Sequence, residues 1–201
     1  MKVIGLCGGS GSGKGVVSSL FASLGIPAID TDAVYRELTL CDSPCTRALT
    51  QEFGKEILSV DGSINRSALS KLVFCGENSD YKLSRLNSIT HKFILDETRK
   101  WLEKYKASGC VAAIVDAPVL FESGFNKECD LIVSVIAERE VRVNRIIHRD
   151  NISVEAAEVR ISKQLSNEEL ISKSDFVIEN NSDLNSLAVR VNEVADFIMN
   201  N

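Results

Sequence analysis

Four glycines and two serines are packed into the seven residues Gly8-Gly9-Ser10-Gly11-Ser12-Gly13-Lys14, after the apolar run Val3–Cys7 and before a helical pattern that opens at Gly15. With so little side chain, the chemistry of this segment belongs to its backbone. Glycine reaches positive φ at no steric cost and leaves nothing between the chain and an approaching anion. A G-x-x-x-x-G-K spacing between a strand and a helix brings several N–H groups, the positive end of a helix dipole and one ammonium to a single spot. We expect a loop that wraps phosphate oxygens, with Lys14 reaching the β and γ phosphates as a point charge. A bare glycine turn fits this order of strand, loop, lysine and helix poorly, and the G-x-G-x-x-G spacing of a dinucleotide site is absent from the sequence.

The residue after the lysine is Gly15, where such loops carry Ser or Thr. That hydroxyl normally ligates magnesium, and glycine offers no oxygen in its place. Magnesium keeps several waters, so a water can fill the position. Losing a charged hydrogen bond of about 1.5–3 kcal/mol in the transition state slows a reaction roughly 10- to 150-fold. Nucleotide binding is therefore the firmer expectation, and a nucleotide-binding chain with weakened turnover stays open. Ser18, nearly one helical turn further on, is expected to point too far from the phosphates.

Short apolar runs recur at Val3–Cys7, Ile26–Asp30, Val111–Asp116, Leu131–Ile136 and Phe176–Ile178. The first, third and fourth are nearly continuous, as strands covered by helices on both faces should be. Helical patterns lie between them at Gly15–Leu24, Ala33–Leu40, Ser67–Val73, Ser79–Ala107, Glu138–His148, Val154–Ser166 and Leu184–Met199, with Ser67 and Ser153 as candidate N-caps. The alternation predicts an α/β fold with an open parallel sheet of about five strands. From Arg36 to Lys106 no strand pattern appears, so a helical insertion is expected there.

Composition agrees with this. The chain has 201 residues, 44% hydrophobic and 25% charged, enough for one sizeable core in one domain. A net charge of −5 argues against broad binding to nucleic acid or anionic membrane. No apolar run approaches the ~18 residues of a membrane span, and the amino-terminal residues lack the apolar stretch of a signal peptide. The six cysteines, Cys7, Cys41, Cys45, Cys75, Cys110 and Cys129, are scattered without a C-x-x-C pair, the pattern of free thiols in a cytoplasmic protein.

Three further segments carry candidate chemistry. In Asp30-Thr31-Asp32-Ala33-Val34-Tyr35-Arg36, Asp32 and Arg36 are four apart and share a helical face. They read either as an acid orienting a substrate hydroxyl beside an anion-binding arginine, or as an N-cap with an ordinary ion pair. In Asp116-Ala117-Pro118-Val119-Leu120-Phe121-Glu122, the strand ends on a carboxylate that can hold magnesium through water. The helix bearing Arg139, Arg142, Arg145 and Arg149 reads either as a solvated face paired with Glu138 and Glu140 or as a lid over a transferring phosphoryl group. Asn126-Lys127-Glu128-Cys129 begins like a guanine-reading motif but lacks its closing aspartate.

Taken in order, G-x-x-x-x-G-K, Asp-x-Asp-x-x-x-Arg, Ile89-Thr90-His91, Asp-x-Pro-x-Leu-Phe-Glu, Arg-x-x-x-Arg-Asp, Gln164 and Ile178-Glu179-Asn180-Asn181 resemble the dephospho-coenzyme A kinase family over nearly the whole chain. The resemblance implies a P-loop NTPase-type three-layer fold with a lid helix. It divides residues 1–201 into a core (1–35, 108–137 and 167–201), a coenzyme A-binding insertion (36–107) and a lid (138–166). It implies ATP-dependent phosphorylation of the ribose 3′-hydroxyl of dephospho-coenzyme A, with magnesium accompanying ATP. Catalytic roles fall to Asp32, Lys14 and Arg145. ATP would be held by Gly9, Ser10, Gly11, Ser12, Gly13, Lys14, Gly15, Arg145, Asn180 and Asn181. The acceptor would be held by Asp32, Arg36, His91, Pro118, Leu120, Phe121 and Glu122, with Asp116 on magnesium through water. Arg149 matches a second lid position. Lys92 stands where the family often has proline, Ser182 where glycine is common and Cys7 where threonine is frequent. Another small-molecule kinase of the same fold is the alternative.

Overall fold

The computed structural model describes residues 1–40, 42–75 and 78–200, so Cys41 lies outside the described residues. The chain divides into two compact units, one of residues 1–30 and 102–201 and the other of residues 31–101. The insertion was expected at 36–107; the second unit begins at Thr31, where a helix starts as soon as the second strand stops, and ends at Trp101, within a long helix.

The first unit is built on five parallel strands: β1 (Lys2–Cys7), β2 (Ala28–Asp30), β3 (Ala112–Asp116), β4 (Leu131–Ile136) and β5 (Phe176–Glu179). Their order is β2-β3-β1-β4-β5, with every neighbouring pair parallel. Each strand lies within two residues of its expected position. Ile26 and Pro27 fall outside β2, although the Pro27 carbonyl still accepts from the Ile114 N–H at 2.8 Å. β1 sits between β3 and β4, so connections leave the sheet in opposite directions on its two sides. The crevice at the carboxyl end of β1 is the position where open α/β sheets bind ligands.

One face of the sheet is covered by α1 (Lys14–Ser23) and α9 (Leu184–Asn200). Val17 and Phe21 of α1 and Leu187, Val191 and Ile198 of α9 join Ile4, Leu6, Ile114, Val133, Val135 and Ile178 in one core cluster. Each large side chain so buried contributes about 1.5–3 kcal/mol. The core therefore anchors both ends of the glycine-rich loop, through β1 before it and α1 after it.

Three helices follow β4: α6 (Arg139–Asp150), α7 (Val154–Ser162) and α8 (Asn167–Ser172). α6 and α7 pack through Val143, Ile146, Ala157 and Ile161. Ser153 caps α7 as expected, accepting from the Ala156 N–H at 3.2 Å. The expected helix 154–166 ends at Ser162, and a further helix that was not expected, α8, starts behind Ser166, which forms a reciprocal capping box with Glu169.

The second unit contains α2 (Thr31–Leu38), α3 (Pro44–Phe53), α4 (Arg66–Phe74) and most of α5 (Ser79–Ala107). Cys45, Leu49, Phe53, Ile57, Ile64, Leu69 and Val73 form its core, lined by Leu83, Leu86, Ile89 and Phe93 at helical spacing on α5. Among the described residues it holds no strand, only an isolated Leu58–Ile64 bridge. Two expectations change here. α4 is capped by Asn65, which accepts from the Ala68 N–H at 3.0 Å, and Ser67 lies inside the helix. α3 starts behind Ser43 with Pro44 at its first position, a strong start signal that the sequence reading passed over.

Candidate active site

The loop between β1 and α1 turns at Gly13, which has φ +89° and serves as the N-cap of α1. No other residue fits this position, because a Cβ there would collide with the Asn180 carboxamide. The helix then opens with Lys14 and Gly15, whose N–H groups precede the first possible intrahelical bond. They are donors aimed along the helix axis, at the positive end of its dipole.

Three of the loop's carbonyl groups are taken up by side chains. Arg142 Nε donates to the Ser10 carbonyl at 2.9 Å. Arg145 Nη1 donates to the Gly11 carbonyl at 3.2 Å. Asn180 Nδ2 donates to the Ser12 carbonyl at 2.8 Å, and Asn180 Oδ1 accepts from Arg145 Nη2 at 3.4 Å. Gln164 Oε1 accepts from the Ser10 N–H at 2.9 Å and from Arg142 Nη2 at the same distance. Two guanidinium groups and a carboxamide thus fix the peptide planes on their oxygen side.

Lys14 forms an ion pair with Asp116 at the end of β3. Asp116 is 3% exposed and is in register with Asp30 of β2. The Ser18 hydroxyl also bonds the Asp116 carboxylate. Ser18, expected to point too far from the phosphates, thus bonds the lysine's partner from one turn along α1. Burial pushes the Asp116 carboxyl above the usual carboxylate range, while Lys14 pulls the other way. Cys7, just before the loop, is buried, and its thiol lies 3.0 Å from the Ser134 hydroxyl; burial pushes that thiol up. The Ser12 hydroxyl is buried and without a hydrogen-bond partner, an orphan polar atom inside the loop.

Gly15 is different from the loop glycines. A Cβ there would meet nothing within 4 Å, so the missing hydroxyl reflects residue type and not lack of room.

The basic helix resolves into separate roles. Arg142 is 4% exposed and faces the loop, and Arg145 reaches the loop beside it. Burial lowers the Arg142 guanidinium from its ordinary range, and nearby Arg139 adds to that. Arg149 does not join them: it pairs with Asp150, which Arg160 also holds. One of the two readings of this helix paired its arginines with Glu138 and Glu140; Arg139 instead forms an ion pair with Glu158. Asn181 Oδ1 accepts from the Glu138 N–H at 2.7 Å, and next to it Glu179, Asn180, Ser182, Asp183, Leu187 and Arg190 line a cleft of about 240 Å³.

After β3, Pro118 and Glu122 are exposed, whereas Leu120 is fully buried against Gly5 and Phe121 has the Lys173 ammonium 5.6 Å from its ring centroid. In the second unit, Asp32 is the second residue of α2, so it is not an N-cap, and Arg36 lies one turn on along the same helix. His91 is half-buried on α5, and Thr90 Oγ1 donates to the Leu86 carbonyl at 2.9 Å. Arg66, which the sequence reading passed over, sits 5.7 Å from the Tyr35 ring centroid and 3.4 Å from Thr39 Oγ1. Arg142 was also underrated. Its signal is its spacing: it shares the face of Ile146, which packs into the core, and so cannot be a solvated arginine.

The comparisons with known proteins agree over almost the full length. A family model described as "Dephospho-CoA kinase" matches residues 2–186. A dephospho-CoA kinase of Fusobacterium nucleatum is 42% identical over 198 residues, covering 98% of this chain and 99% of that one. A crystal structure of a Thermus thermophilus protein superposes with a TM-score of 0.80 at 27% identity, covering 98% of this chain and 96% of that one. The structure of dephospho-CoA kinase from Campylobacter jejuni shares the fold with a TM-score of 0.72 at 23% identity, covering 98% and 97%. With the phosphate loop, the lysine–aspartate pair and the five-stranded sheet already in place, this agreement shows that the chain belongs to the dephospho-CoA kinase family, the ATP-dependent kinases of the final step of coenzyme A biosynthesis.

Proposed function

We propose that this chain transfers the γ-phosphoryl group of ATP to the ribose 3′-hydroxyl of dephospho-coenzyme A, and that the loop Gly9–Lys14 is where the triphosphate is held. The observation that carries the reading is the restraint of the loop's carbonyls: Ser10, Gly11 and Ser12 give theirs to Arg142, Arg145 and Asn180, which turns the Gly11 and Gly13 amides away from those side chains, while the Ser12 N–H closes a turn onto the Gly9 carbonyl. An anion placed there meets fixed donors and a helix N-terminus, with no reorganisation needed during the reaction.

Lys14 exchanges Asp116 for the β and γ phosphates, Arg145 neutralises charge developing on the transferred group, and Asp32 takes the proton of the attacking hydroxyl. Arg36, His91, Pro118, Phe121 and Glu122 are assigned to the acceptor on the resemblance alone. Leu120 supports that segment from below, since its side chain is in the core. Asn181 and the cleft beside it are assigned to the adenine. The oxygen donors Asp116 and Asp30 suit a hard cation, which takes oxygen ligands and keeps waters. Magnesium held there through water would supply positive charge to the β and γ phosphates.

A second reading rests on Gly15, which provides no hydroxyl: nucleotide is bound but turned over weakly. One assay separates the two. Purified protein with ATP, magnesium and dephospho-coenzyme A is expected to form coenzyme A and ADP, with nucleosides and nucleoside monophosphates inactive as acceptors. Absence of product from the unmodified chain, restored by Gly15→Ser, would establish the second reading instead.

A further inference from the structure

We infer that Arg142 and Gln164 are positioning residues that hold the phosphate loop through the Ser10 peptide, and that the Ser10 N–H is not one of the amides that bind phosphate. The inference rests on the loop's proposed role in holding the triphosphate and adds a division of labour within it.

Every polar group of Ser10 is engaged by this pair. Its N–H donates to Gln164 Oε1 at 2.9 Å, its carbonyl accepts from Arg142 Nε at 2.9 Å, and its hydroxyl lies 3.3 Å from Gln164 Nε2. The two side chains are themselves joined, Arg142 Nη2 donating to Gln164 Oε1 at 2.9 Å. The result is a closed ring of hydrogen bonds around one peptide. Packing reinforces it, since a Cβ on Gly9 would strike the Arg142 guanidinium and one on Gly11 would come within 2.6 Å of the Arg142 carbonyl.

The chemistry of the ring requires an arginine. Nε and Nη2 diverge in a rigid plane and serve a carbonyl and a carboxamide at once, which a compact ammonium on a flexible stem does not reproduce. Both acceptors are neutral, so the positive charge of Arg142 is not cancelled by the groups it holds. Charge and fork are therefore separable: Arg142→Lys keeps the first and loses the second. Gln164 follows α7 and precedes α8, so the ring also ties the helices after β4 to the loop. Donors left for phosphate are then those nearer the helix, at Gly11, Gly13, Lys14 and Gly15.

The test uses full-length Gln164→Met, Gln164→Glu, Arg142→Lys and the double variant Arg142→Lys/Gln164→Met, each first checked for an unchanged melting transition. Amide hydrogen exchange at Ser10 is read without nucleotide. Exchange should speed up about tenfold in Gln164→Met and stay slow in Gln164→Glu, whose carboxylate still accepts. Calorimetric ADP binding should weaken about tenfold in Gln164→Met and in Arg142→Lys alike, and by about the same tenfold in total in the double variant, because both break one ring. KM for ATP should rise correspondingly, with KM for dephospho-coenzyme A within about twofold of the unmodified enzyme. Unchanged Ser10 exchange in Gln164→Met, wild-type ADP affinity in Arg142→Lys, or multiplicative losses in the double variant would each overturn the inference. Failure of the unmodified protein to bind ADP, with Ser10 protection following the predicted pattern, would sink the phosphate reading of the loop while upholding the ring.

Discussion

Lys14 and Asp116 form an ion pair that joins the last residue of the glycine-rich loop to the carboxyl end of a central strand. Both side chains are largely out of water, 14% and 5% exposed. The ammonium is thus kept beside a carboxylate that neutralises it at the carboxyl end of the strand, which offsets the cost of taking either charge out of water.

The pair gives the first prediction. Asp116→Asn keeps the shape but leaves the ammonium without its counter-charge, a loss on the order of 3 kcal/mol for a buried pair. In a chain of this size that lowers the melting temperature by roughly 10 °C. Removing both charges, in Lys14→Met/Asp116→Asn, should restore part of the loss. Calorimetry of the three proteins checks it, and a double variant less stable than Asp116→Asn would contradict the pairing.

Gly15→Ser tests the open space beside the loop. A Cβ meets no neighbour there, so the variant should fold with an unchanged or slightly raised melting temperature. If the hydroxyl reaches magnesium, turnover should rise roughly 10- to 150-fold and saturate at lower magnesium concentration. A magnesium titration of initial rates reads this directly; superimposable curves for the two proteins would show that water already fills the role.

Asp32→Asn addresses the assigned acid. The substitution should cut kcat by about 10²- to 10⁴-fold, with ATP dissociation measured by calorimetry unaltered. Equal losses in turnover and ATP affinity would remove Asp32 from the chemistry and make it a binding or folding residue.

A pH dependence follows from Asp150. The Arg149 guanidinium bonded to it, with Arg160 adding to the effect, holds its carboxyl well below the ordinary value of 3.8. A depressed carboxyl contributes stability that is complete above the unfolded value and is lost as pH falls through the folded one. Urea midpoints of the unmodified protein and Asp150→Asn should therefore differ at neutral pH, draw together below pH 3.8, and coincide once the folded carboxyl is protonated. A constant difference across that range would show that the carboxylate's charge is irrelevant.

Much of the molecule was legible in the residues. The nearly continuous apolar runs of β1, β3 and β4 match strands covered on both faces, and the glycine pattern after β1 matches a strand-to-helix loop. These are local constraints of sterics and burial, which act through neighbours along the chain. Helix ends were less legible. Asn65 in place of Ser67, and the new start behind Ser166, depend on which of several polar residues the packed helix brings to its first turn.

The spacing of Arg142 with Ile146 marks it as buried, but the rest of the division of the basic helix was beyond sequence reasoning. Arg142, Arg145 and Arg149 are alike as residues and fall on neighbouring positions of one face. What separates them is distance from a loop more than 130 residues earlier: Arg142 meets Ser10, Arg145 meets Gly11, and Arg149 meets only its neighbour Asp150. The sequence by itself therefore determined the strands, the glycine-rich strand-to-helix loop and the family, because periodicity and glycine placement are read within one stretch of chain. Only the tertiary structure decided that Lys14 rests on Asp116 and Ser10 on Arg142 and Gln164, because directed hydrogen bonds and ion pairs form between groups that folding alone brings within three ångströms or so.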